Sequence, residues 1–375
     1  MKKYLWETKN WSDFKYDESI VLKPLSHLRG LQGKLLGRIT SLDVKLETEA
    51  SGAILSEEAI RTAEIEGQKL NQNAVRSSVA MRLGLPNGIG AHDRNVDGLL
   101  DVLLDAVRFH EKPLTLARLN GWQAALFPSG YSGLRTISTG KLRGDKPMQI
   151  VSGPIGKEKV HFEALPKDRL DEEIRLFIKW WNSSSGQMDG ILRAAAAHLR
   201  FVTIHPYEDG NGRLARALTD MALAQDEKLK VRFYSISREI MRSRNEYYKI
   251  LEDVQRCRVD VMEWFLWFIK CVTSSIESSR DIISNVFTRV DFWNQHSQSQ
   301  LNERQKKVLN RILEAGSGNF AGGLTTRKYV GMVKVSRATA FREITDMLDK
   351  KILRQLPGKG RSVHYDLVWP KKYEV

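Results

Sequence analysis

At the centre of the chain lies the sequence His205-Pro206-Tyr207-Glu208-Asp209-Gly210-Asn211-Gly212-Arg213-Leu214-Ala215-Arg216. The residues before it, 190–204, are rich in alanine and leucine, and the residues after it, 214–224, repeat apolar side chains at helical spacing. This pattern predicts a helix, a tight loop and a second helix. Most other segments show the same helical period, so we expect a mainly α fold.

The residue types in this loop suit an anion. Gly210 and Gly212 allow backbone N–H groups to approach a ligand closely, and at a helix N-terminus these groups favour negative charge. Arg213 and Arg216 are three residues apart, so they share a helix face and can grip phosphate oxygens together. The loop therefore suits a polyphosphate.

Two other side chains of the loop add chemistry to this anion site. The Asp209 carboxylate is a hard ligand of the kind that Mg²⁺ prefers, and Mg²⁺ is usually shared with phosphates. The His205 imidazole can take up a proton near neutral pH. Together these residues predict a pocket for a nucleotide polyphosphate beside a general base. A tight surface turn with solvated arginines is the alternative, and the number of matched residue types at fixed spacing disfavours it.

The string resembles the signature of the Fic family, His-x-Phe-x-Asp/Glu-Gly-Asn-Gly/Lys-Arg-x-x-Arg. It departs only at Tyr207, which stands where the family has phenylalanine and adds a hydroxyl to the aromatic ring. The resemblance implies a protein adenylyltransferase, a Mg²⁺-dependent enzyme that transfers AMP from ATP to a Ser, Thr or Tyr hydroxyl of a target protein. Auto-modification and a homodimer are also compatible with it.

Under this resemblance each polar residue of the loop has a role in the transfer. His205 would take the proton of the attacking hydroxyl, and Asp209 would carry Mg²⁺ at the α- and β-phosphates. The phosphates would lie in a cradle of glycine N–H groups and an asparagine amide, held by two arginines. This nucleotide-binding set comprises Gly210, Asn211, Gly212, Arg213 and Arg216.

Three alternatives stay open. Other Fic-like proteins transfer UMP, phosphate or phosphocholine, and the retained Gly212 favours AMP because kinase-like relatives carry a lysine there. If Glu66 can position water, the same site would also remove AMP. A DNA-binding regulator with a vestigial Fic core is the third alternative, and the intact motif argues against it.

A second motif lies upstream, in a segment whose spacing predicts a helix over residues 56–71. Within it Thr62, Glu66 and Gly67 form the pattern Thr-x-x-x-Glu-Gly, which resembles the inhibitory motif of Fic proteins. The resemblance implies that Glu66 pairs with Arg216 and so keeps the γ-phosphate of ATP out of its place. The alternative is a surface glutamate paired along its own helix.

Residues 148–163 change character and predict a β-hairpin, with strands at 148–151 and 159–162. The resemblance identifies this hairpin as the flap beside the nucleotide, along which a target protein pairs through main-chain hydrogen bonds. A plain surface hairpin is the alternative. The flap residues expected nearest the nucleotide are Ile150, Val151, Ser152 and Gly153.

The adenosine end of the site has its own candidates by the same resemblance. Tyr247, Tyr248 and Gln255 fall where the family lines this end, and an aromatic face can stack on adenine. For the two tyrosines a place in the core is the alternative. The dense aromatic segment that follows, residues 264–268, is best interpreted as core.

These features divide the chain into four predicted parts. An N-terminal helical module covers residues 1–85 and includes the inhibitory helix, a Fic-type helical core with its flap covers 86–275, a linker helix covers 276–300, and a small winged-helix domain covers 301–375. The winged helix rests on three helical segments followed by two short strands around a Pro-Gly-Lys-Gly turn.

The last part is strongly basic. Residues 301–375 hold 16 Lys and Arg against 7 Asp and Glu, which is +9 of the net +14 of the chain, and this favours an anionic partner such as DNA. The helix expected at 336–349 would be the recognition helix, although many winged helices contact proteins instead. Residues that could reach bases or phosphates are Arg337, Thr339 and Arg342 on that helix and Lys359 and Arg361 on the wing.

The composition argues against several other classes of protein. The 42% hydrophobic and 28% charged residues are ordinary for a globular protein. Cys257 and Cys271 give neither a disulfide framework nor a metal-binding pattern, so we expect a reducing, cytoplasmic environment. The most apolar stretch, residues 264–269, is far too short to span a bilayer, and no signal-peptide run is visible, so we expect no membrane partner.

Overall fold

A computed structural model describes residues 3–39, 44–85, 93–152, 159–357 and 363–370. Within these ranges the chain is mainly α, which confirms the predicted fold class. A short 3-10 helix at Leu5–Glu7 precedes the first α-helix. The α-helices are α1 (Glu18–Ile39), α2 (Val44–Ile65), α3 (Gln72–Leu83), α4 (Arg94–Arg108), α5 (Leu116–Leu126), α6 (Lys167–Ser183), α7 (Gly190–Ile204), α8 (Asn211–Glu227), α9 (Ile236–Arg242), α10 (Arg244–Gln255), α11 (Val261–Gln295), α12 (Glu303–Ala315), α13 (Thr326–Val333) and α14 (Arg337–Asp349).

The strands form short antiparallel hairpins, each from two neighbouring strands. They are β1 (Tyr131–Ser132) with β2 (Arg135–Thr136), β3 (Gln149–Ser152) with β4 (Lys159–Glu163), and β5 (Leu353–Gln355) with β6 (Tyr365–Leu367). The hairpin predicted at 148–163 is therefore present as β3 and β4. The β1–β2 hairpin was not predicted, because two residues per strand give no periodic signal.

The chain forms two compact units. The first contains the described residues of 1–41 and 51–279, and the second contains those of 42–50 and 280–375. Helix α11 runs without a break from Val261 to Gln295, so most of the linker helix expected at 276–300 is present as the end of a longer helix. No glycine or proline interrupts these residues, and nothing in their sequence stops the helix.

Helices α7 and α8 form the centre of the first unit and pack against each other. Every residue of α7 from Ile191 to Ile204 is buried, while α4 and α5 pack against α8 and α6 packs against α7. A helix buried on all sides must pair its polar groups internally. Arg193 does so by donating to Ser184 Oγ (2.8 Å), Gln225 Oε1 (2.7 Å) and the Trp181 carbonyl (2.7 Å).

The β3–β4 hairpin depends on the N-terminal aromatic residues, because an isolated two-stranded hairpin is marginally stable. The ring of Tyr4 packs edge-to-face on Phe162 at 5.5 Å between centroids. The Trp6 indole N–H donates to the Glu163 carbonyl at 2.8 Å. The aromatic start of the chain therefore covers the base of this hairpin.

The second unit packs α12, α13 and α14 around one apolar core. Leu324 forms an isolated β-bridge with Tyr365, and α13 begins after Thr325, whose side chain caps it. Helix α14 agrees with the predicted 336–349 helix, with Ser336 as its N-cap. The winged-helix assignment remains a prediction, and Lys359 and Arg361 lie outside the described residues. The core is built from Val308, Leu309, Ile312, Leu324, Tyr329, Ala340, Ile344 and Met347.

Glu343 joins the three helices of this unit. Its buried carboxylate accepts from Asn302 Nδ2 at 3.0 Å, Arg304 Nε at 3.0 Å and the Tyr329 hydroxyl at 2.7 Å. Burial alone would raise its pKa, but these donors outweigh that effect and lower it. The carboxylate is therefore charged and stabilised by its partners near neutral pH.

We expect Glu343→Ala to loosen the second unit, because it leaves the Tyr329 hydroxyl buried without an acceptor. Breaking a buried hydrogen-bond network typically lowers the free energy of unfolding by about 2 kcal/mol, which makes amide exchange through opening of the unit ~30-fold faster. Hydrogen–deuterium exchange of peptides from α13 and α14 measures this in the full chain. Glu303→Ala is the control, since that side chain is exposed and pairs only with Lys306 among the described residues. Equal exchange in both variants would contradict the role given to Glu343.

Candidate functional site

His205 ends α7 in the left-handed backbone region, with φ of 51°, and so leaves the helix towards the loop. Its Nδ1 lies 3.3 Å from the Val202 carbonyl. A carbonyl only accepts, so Nδ1 carries the proton and Nε2 is free to accept one. Burial, with a contribution from nearby Arg143, lowers the pKa of the ring to about 4. The imidazole is therefore neutral near pH 7, as a general base must be.

The loop after His205 is held by side chains that bond to its backbone. Arg143 Nε donates to the His205 carbonyl at 2.8 Å, and the Arg143 N–H donates to the Pro206 carbonyl at 2.9 Å. The hydroxyl of Tyr207, the departure from the Fic signature, donates to Asn120 Oδ1 at 2.8 Å. The loop conformation is thus imposed by residues that are distant in sequence.

Asn211 also holds this loop. Its Oδ1 accepts from the Tyr207 N–H at 3.0 Å and its Nδ2 donates to the Tyr207 carbonyl at 2.7 Å. Oδ1 and one N–H of the amide are thus bonded to the backbone of Tyr207, and Nδ2 has a second N–H. The expectation that this amide joins the phosphate cradle stays a prediction. Its contribution is to fix the loop on which the other residues are presented.

Gly210 and Asp209 prepare the N-terminus of α8. Gly210 is the N-cap with φ of 92°, a region that favours glycine, and a Cβ there would lie 3.0 Å from the Phe127 ring. The Gly210 N–H donates to Asp209 Oδ1 at 2.6 Å, and the Ser132 hydroxyl donates to Asp209 Oδ2. The carboxylate is therefore held on both oxygens.

The two arginines of α8 are buried and face the segment that follows α2. Arg216 Nε donates to Thr62 Oγ1 at 2.6 Å, and Nη2 donates to the Thr62 carbonyl at 3.0 Å and to Glu66 Oε1 at 2.7 Å. Burial lowers the pKa of Arg216, but the Glu66 carboxylate and its other neighbours more than offset this, and the pKa is raised overall. The predicted pairing of Glu66 with Arg216 is thus present in the geometry.

Arg213 has a different environment. Its Nη1 donates to Gln68 Oε1 at 3.3 Å, and its guanidinium lies 4.6 Å from the centroid of the Phe127 ring. Burial lowers its pKa, and the Asp209 and Glu66 carboxylates oppose that shift. Gln68 was not singled out from the sequence, yet it contacts the first arginine while Glu66 contacts the second.

The end of α2 explains why glycine follows Glu66. The Gly67 N–H donates to the Glu64 carbonyl at 2.9 Å, the Gln68 N–H donates to the Ala63 carbonyl at 3.0 Å, and Gly67 has φ of 77°. This is a Schellman motif, whose left-handed residue is usually glycine. The helix expected at 56–71 in fact begins at Val44 and ends at Ile65, so Glu66 is presented by the helix terminus.

Ser56 does not cap α2, because it lies inside the helix. Its hydroxyl donates to the Gly52 carbonyl one turn earlier, at 2.8 Å. A serine that bonds back to the preceding turn is tolerated in a helix interior.

Gly212 brings the Glu66 carboxylate close to the start of α8. A Cβ on Gly212 would lie 2.2 Å from Glu66 Oε1, a distance that no real side chain tolerates. The close approach expected at this glycine is therefore made, in this structure, by an anion of the protein itself. This anion lies where the helix dipole and Arg216 both favour negative charge.

The candidates for the flap and the adenosine end separate into two groups. Tyr247 is buried, with its hydroxyl 2.8 Å from His198 Nε2, and the buried Gln255 donates to Thr203 Oγ1 at 3.1 Å, so both belong to the core and not to an open adenosine site. Tyr248 is 39% exposed and stays a candidate. Of the flap residues, Ile150 packs near the Tyr4 and Phe162 cluster and Val151 is 46% exposed. The Ser152 backbone pairs with Lys159, while its side chain and Gly153 lie outside the described residues.

A divalent cation fits this site if the protein and a bound nucleotide both supply its ligands. Among the described residues, no group of three or more His, Cys, Asp or Glu side chains could hold a metal ion by itself. Asp209 supplies a hard oxygen of the kind that Mg²⁺ prefers, and Mg²⁺ commonly takes its other ligands from phosphates and water. The donor set therefore fits Mg²⁺ that is bound together with a nucleotide.

The described helices include none that is long and apolar enough to cross a membrane.

In the protein without nucleotide, the imidazole of His205 is expected to titrate near pH 4, far below the ~6.5 of a solvated histidine. Because the folded state holds the neutral ring, protonation favours unfolding, and the stability that the neutral ring contributes falls as pH drops from about 6.5 towards 4. NMR titration of the ring Cε1–H measures the pKa, with His205→Ala identifying the resonance. A midpoint at 6 or above would contradict the lowered pKa of this ring.

Comparison with known proteins agrees with this geometry. Residues 4–85 match a family model described as a domain of unknown function (DUF4172), and residues 113–223 match the model of the Fic/DOC family. The protein adenylyltransferase fic-1 of Caenorhabditis briggsae is 43% identical over 78 residues, which are 20% of this chain and 15% of that protein. A probable protein adenylyltransferase of Aquifex aeolicus is 27% identical over 113 residues, 30% of this chain and 32% of that protein. The chain thus spans less than two thirds of these curated relatives.

Two solved structures share the fold. A Fic family protein from Desulfovibrio desulfuricans G20 aligns with a TM-score of 0.51 at 16% identity, covering 93% of this chain and 97% of that one. A Fic domain containing signaling protein from Bacteroides thetaiotaomicron VPI-5482 aligns with a TM-score of 0.51 at 17% identity, covering 69% and 94%. The chain therefore carries a Fic domain of the Fic/DOC family, preceded by a helical DUF4172 module.

Proposed function

We propose that this protein is an adenylyltransferase that moves AMP from ATP to a hydroxyl of a target protein and is held inactive by Glu66. The observation that carries the proposal is the position of the Glu66 carboxylate, 2.7 Å from Arg216 Nη2 and beside Gly212 at the start of α8. A helix N-terminus with two buried arginines is a site for an anion. The carboxylate of Glu66 occupies this site in the structure.

The residues of the loop can perform the transfer as follows. His205 Nε2 takes the proton of the target hydroxyl, whose oxygen forms a bond to the α-phosphorus of ATP. The bond from the α-phosphorus to the oxygen that bridges to the β-phosphate breaks, and pyrophosphate leaves. Arg213 and Arg216 bind the β- and γ-phosphates, and Asp209 would hold Mg²⁺. When bound, Mg²⁺ offsets the charge that develops on the phosphates.

Selection of AMP and of the target rests on less specific features. Retention of Gly212 favours transfer of a nucleotide over transfer of phosphate. The β3–β4 hairpin offers main-chain groups to an extended target segment, and main-chain pairing carries little side-chain code. The enzyme itself is a candidate target. The names of the relatives, protein adenylyltransferases, support the AMP assignment.

The proposed inhibition acts on Arg216. Thr62 and Glu66 together accept three hydrogen bonds from Nε and Nη2 of this one guanidinium, while Nη1 has no hydrogen-bond partner among the described residues. A γ-phosphate that binds Nε and Nη2 must therefore displace Thr62 and Glu66. The Glu66 side chain is 30% exposed, and solvent weakens its pairing. We therefore assign the brake about 1–3 kcal/mol, which corresponds to ~5–150-fold in nucleotide affinity or rate.

Labelling with ATP that carries a radioactive α-phosphate tests both the activity and the brake. Glu66→Gly is expected to label itself or a lysate protein ~10–100-fold more strongly than wild type, because Arg216 becomes free to bind the γ-phosphate. His205→Ala in the Glu66→Gly background is expected to lose ~100-fold or more of that labelling, since no base takes the proton.

Glu64→Gly is the matched control for this assay. It removes a carboxylate from the last turn of the same helix and introduces the same glycine, but Glu64 pairs with Arg61 and not with Arg216. We expect it to label as wild type does. Equal labelling by wild type and Glu66→Gly would contradict the proposed inhibition by Glu66. If neither protein gave any labelling, the proposed adenylyltransferase activity would be wrong.

A second candidate function, DNA binding by the second unit, is favoured by the exposed face of α14. Arg337 and Arg342 are exposed there, and between them Phe341 is 60% exposed. Basic side chains neutralise phosphates, and an exposed phenyl ring can contact a thymine methyl group. Thr339 is only half-buried, but its hydroxyl lies 3.0 Å from Ser336 Oγ at the helix cap.

If α14 binds DNA, Arg337→Ala with Arg342→Ala weakens the complex and makes it less sensitive to salt. Each lost phosphate contact reduces the slope of log affinity against log salt by about 0.9. Gel shifts of the full chain over a range of salt concentrations measure this slope. Arg311→Ala on α12 is the control, because its exposed side chain lies on another helix and pairs with Glu314. An unchanged slope in the double variant would exclude this face.

A further inference from the structure

The β1–β2 hairpin contacts two consecutive acidic residues of the catalytic loop. The Ser132 hydroxyl donates to Asp209 Oδ2. Ser138, just after the hairpin, donates to the Glu208 carboxylate from its N–H at 3.3 Å and from its hydroxyl at 3.1 Å. A segment that lies about 70 residues upstream of the loop therefore supports both carboxylates.

The Asp209 carboxylate has one donor on each oxygen, so its orientation is determined. Oδ1 accepts from the Gly210 N–H at 2.6 Å and Oδ2 accepts from Ser132. Because the two donors bind different oxygens, they oppose rotation of the carboxylate about the Cβ–Cγ bond. Each oxygen has two lone pairs, and each donor uses one, which leaves a lone pair for a cation.

We propose that Ser132 is a positioning residue for the divalent cation: its hydroxyl fixes Asp209 Oδ2 so that this oxygen can ligate Mg²⁺. The proposal rests on the proposed function, which brings Mg²⁺ to Asp209 with a nucleotide. Mg²⁺ requires near-ideal octahedral geometry with short ligand distances, so a carboxylate that rotates freely binds it poorly. Partners that orient a metal ligand typically contribute about 10–100-fold to metal affinity.

The hairpin is built to present this hydroxyl. Asp209 lies in a loop, where no regular hydrogen-bond ladder orients its side chain, so the support must come from elsewhere. The hairpin is closed by the Ile137 N–H, which donates to the Gly130 carbonyl at 3.0 Å. Ser132 is half-buried, while Tyr131 before it and Leu134 at the tip are exposed. The hydroxyl that reaches the loop is thus the inward side chain of an otherwise exposed element.

The Ser132 hydroxyl could instead compete with Mg²⁺ for Asp209 Oδ2, which predicts the opposite change in metal affinity. If the Ser132 hydroxyl occupied the place of the cation on Oδ2, it would compete with Mg²⁺, and its removal would strengthen metal binding. If it orients the oxygen, its removal weakens metal binding. The sign of the change therefore separates support from competition.

Calorimetry on the full chain tests the proposal without using the reaction. In the Glu66→Gly background, the affinity for α,β-methylene-ATP, which cannot be cleaved at the α-phosphate, is measured in Mg²⁺ and again in EDTA. The ratio of the two dissociation constants is the gain from the metal. Ser132→Ala is expected to reduce this gain about tenfold or more while the affinity in EDTA changes less than twofold. Ser132→Thr keeps a hydroxyl and is expected to retain the gain.

Ser138→Ala is the matched control, since it removes the same group from the same region but from the side of Glu208. Asp209→Ala sets the scale, because it removes the ligand itself. A gain in Ser132→Ala that is unchanged, larger than in the parent, or reduced only as much as in Ser138→Ala overturns the proposal. If the Glu66→Gly protein binds no nucleotide in Mg²⁺, the proposed function fails and the role of Ser132 falls with it; if nucleotide binds, only the role of Ser132 is at stake.

Discussion

The central interaction of the first unit is the pairing of the buried Arg216 guanidinium with an anionic partner. Arg216 is 2% exposed, and a guanidinium in that position is costly unless its N–H groups find acceptors. Thr62 and Glu66, which are four residues apart and so reach the same guanidinium, supply acceptors for Nε and Nη2, while Nη1 has no hydrogen-bond partner among the described residues. A triphosphate also offers anionic oxygens that this arginine could bind. The proposed inhibition is therefore a competition between two anions for a site that the fold has already desolvated.

A buried hydrogen-bond network links α7, α8 and α10 in the first unit. His198, in the middle of the buried helix α7, lies 2.9 Å from Thr219 Oγ1 and 2.8 Å from the Tyr247 hydroxyl. Thr219 donates to Ala215, so it accepts from His198 Nδ1, and His198 Nε2 then accepts from Tyr247. Burial lowers the pKa of this histidine to about 3, so the network stays neutral. A tyrosine expected to line the site instead fixes the two central helices to α10.

Local patterns in the sequence predicted the elements that depend on local interactions. The central helix–loop–helix, the hairpin at 148–163 and helix α14 were predicted because their spacing, glycines and caps are encoded within a few residues. The helix was predicted to begin at residue 56, but α2 extends from Val44 to Ile65 and Ser56 lies inside it. The contacts of Ser132, Arg143 and Gln68 join residues 62 to 145 positions apart, and a single sequence carries no signal for such pairs.

The absence of a side chain at Gly212 links the proposed transfer to the proposed inhibition. The space where a Cβ would lie is taken by the Glu66 carboxylate. A side chain at position 212 would therefore displace the Glu66 carboxylate from the place that the proposed inhibition requires. The proposed AMP transfer and its proposed inhibition by Glu66 thus both depend on glycine at position 212. We expect a substitution there to affect both.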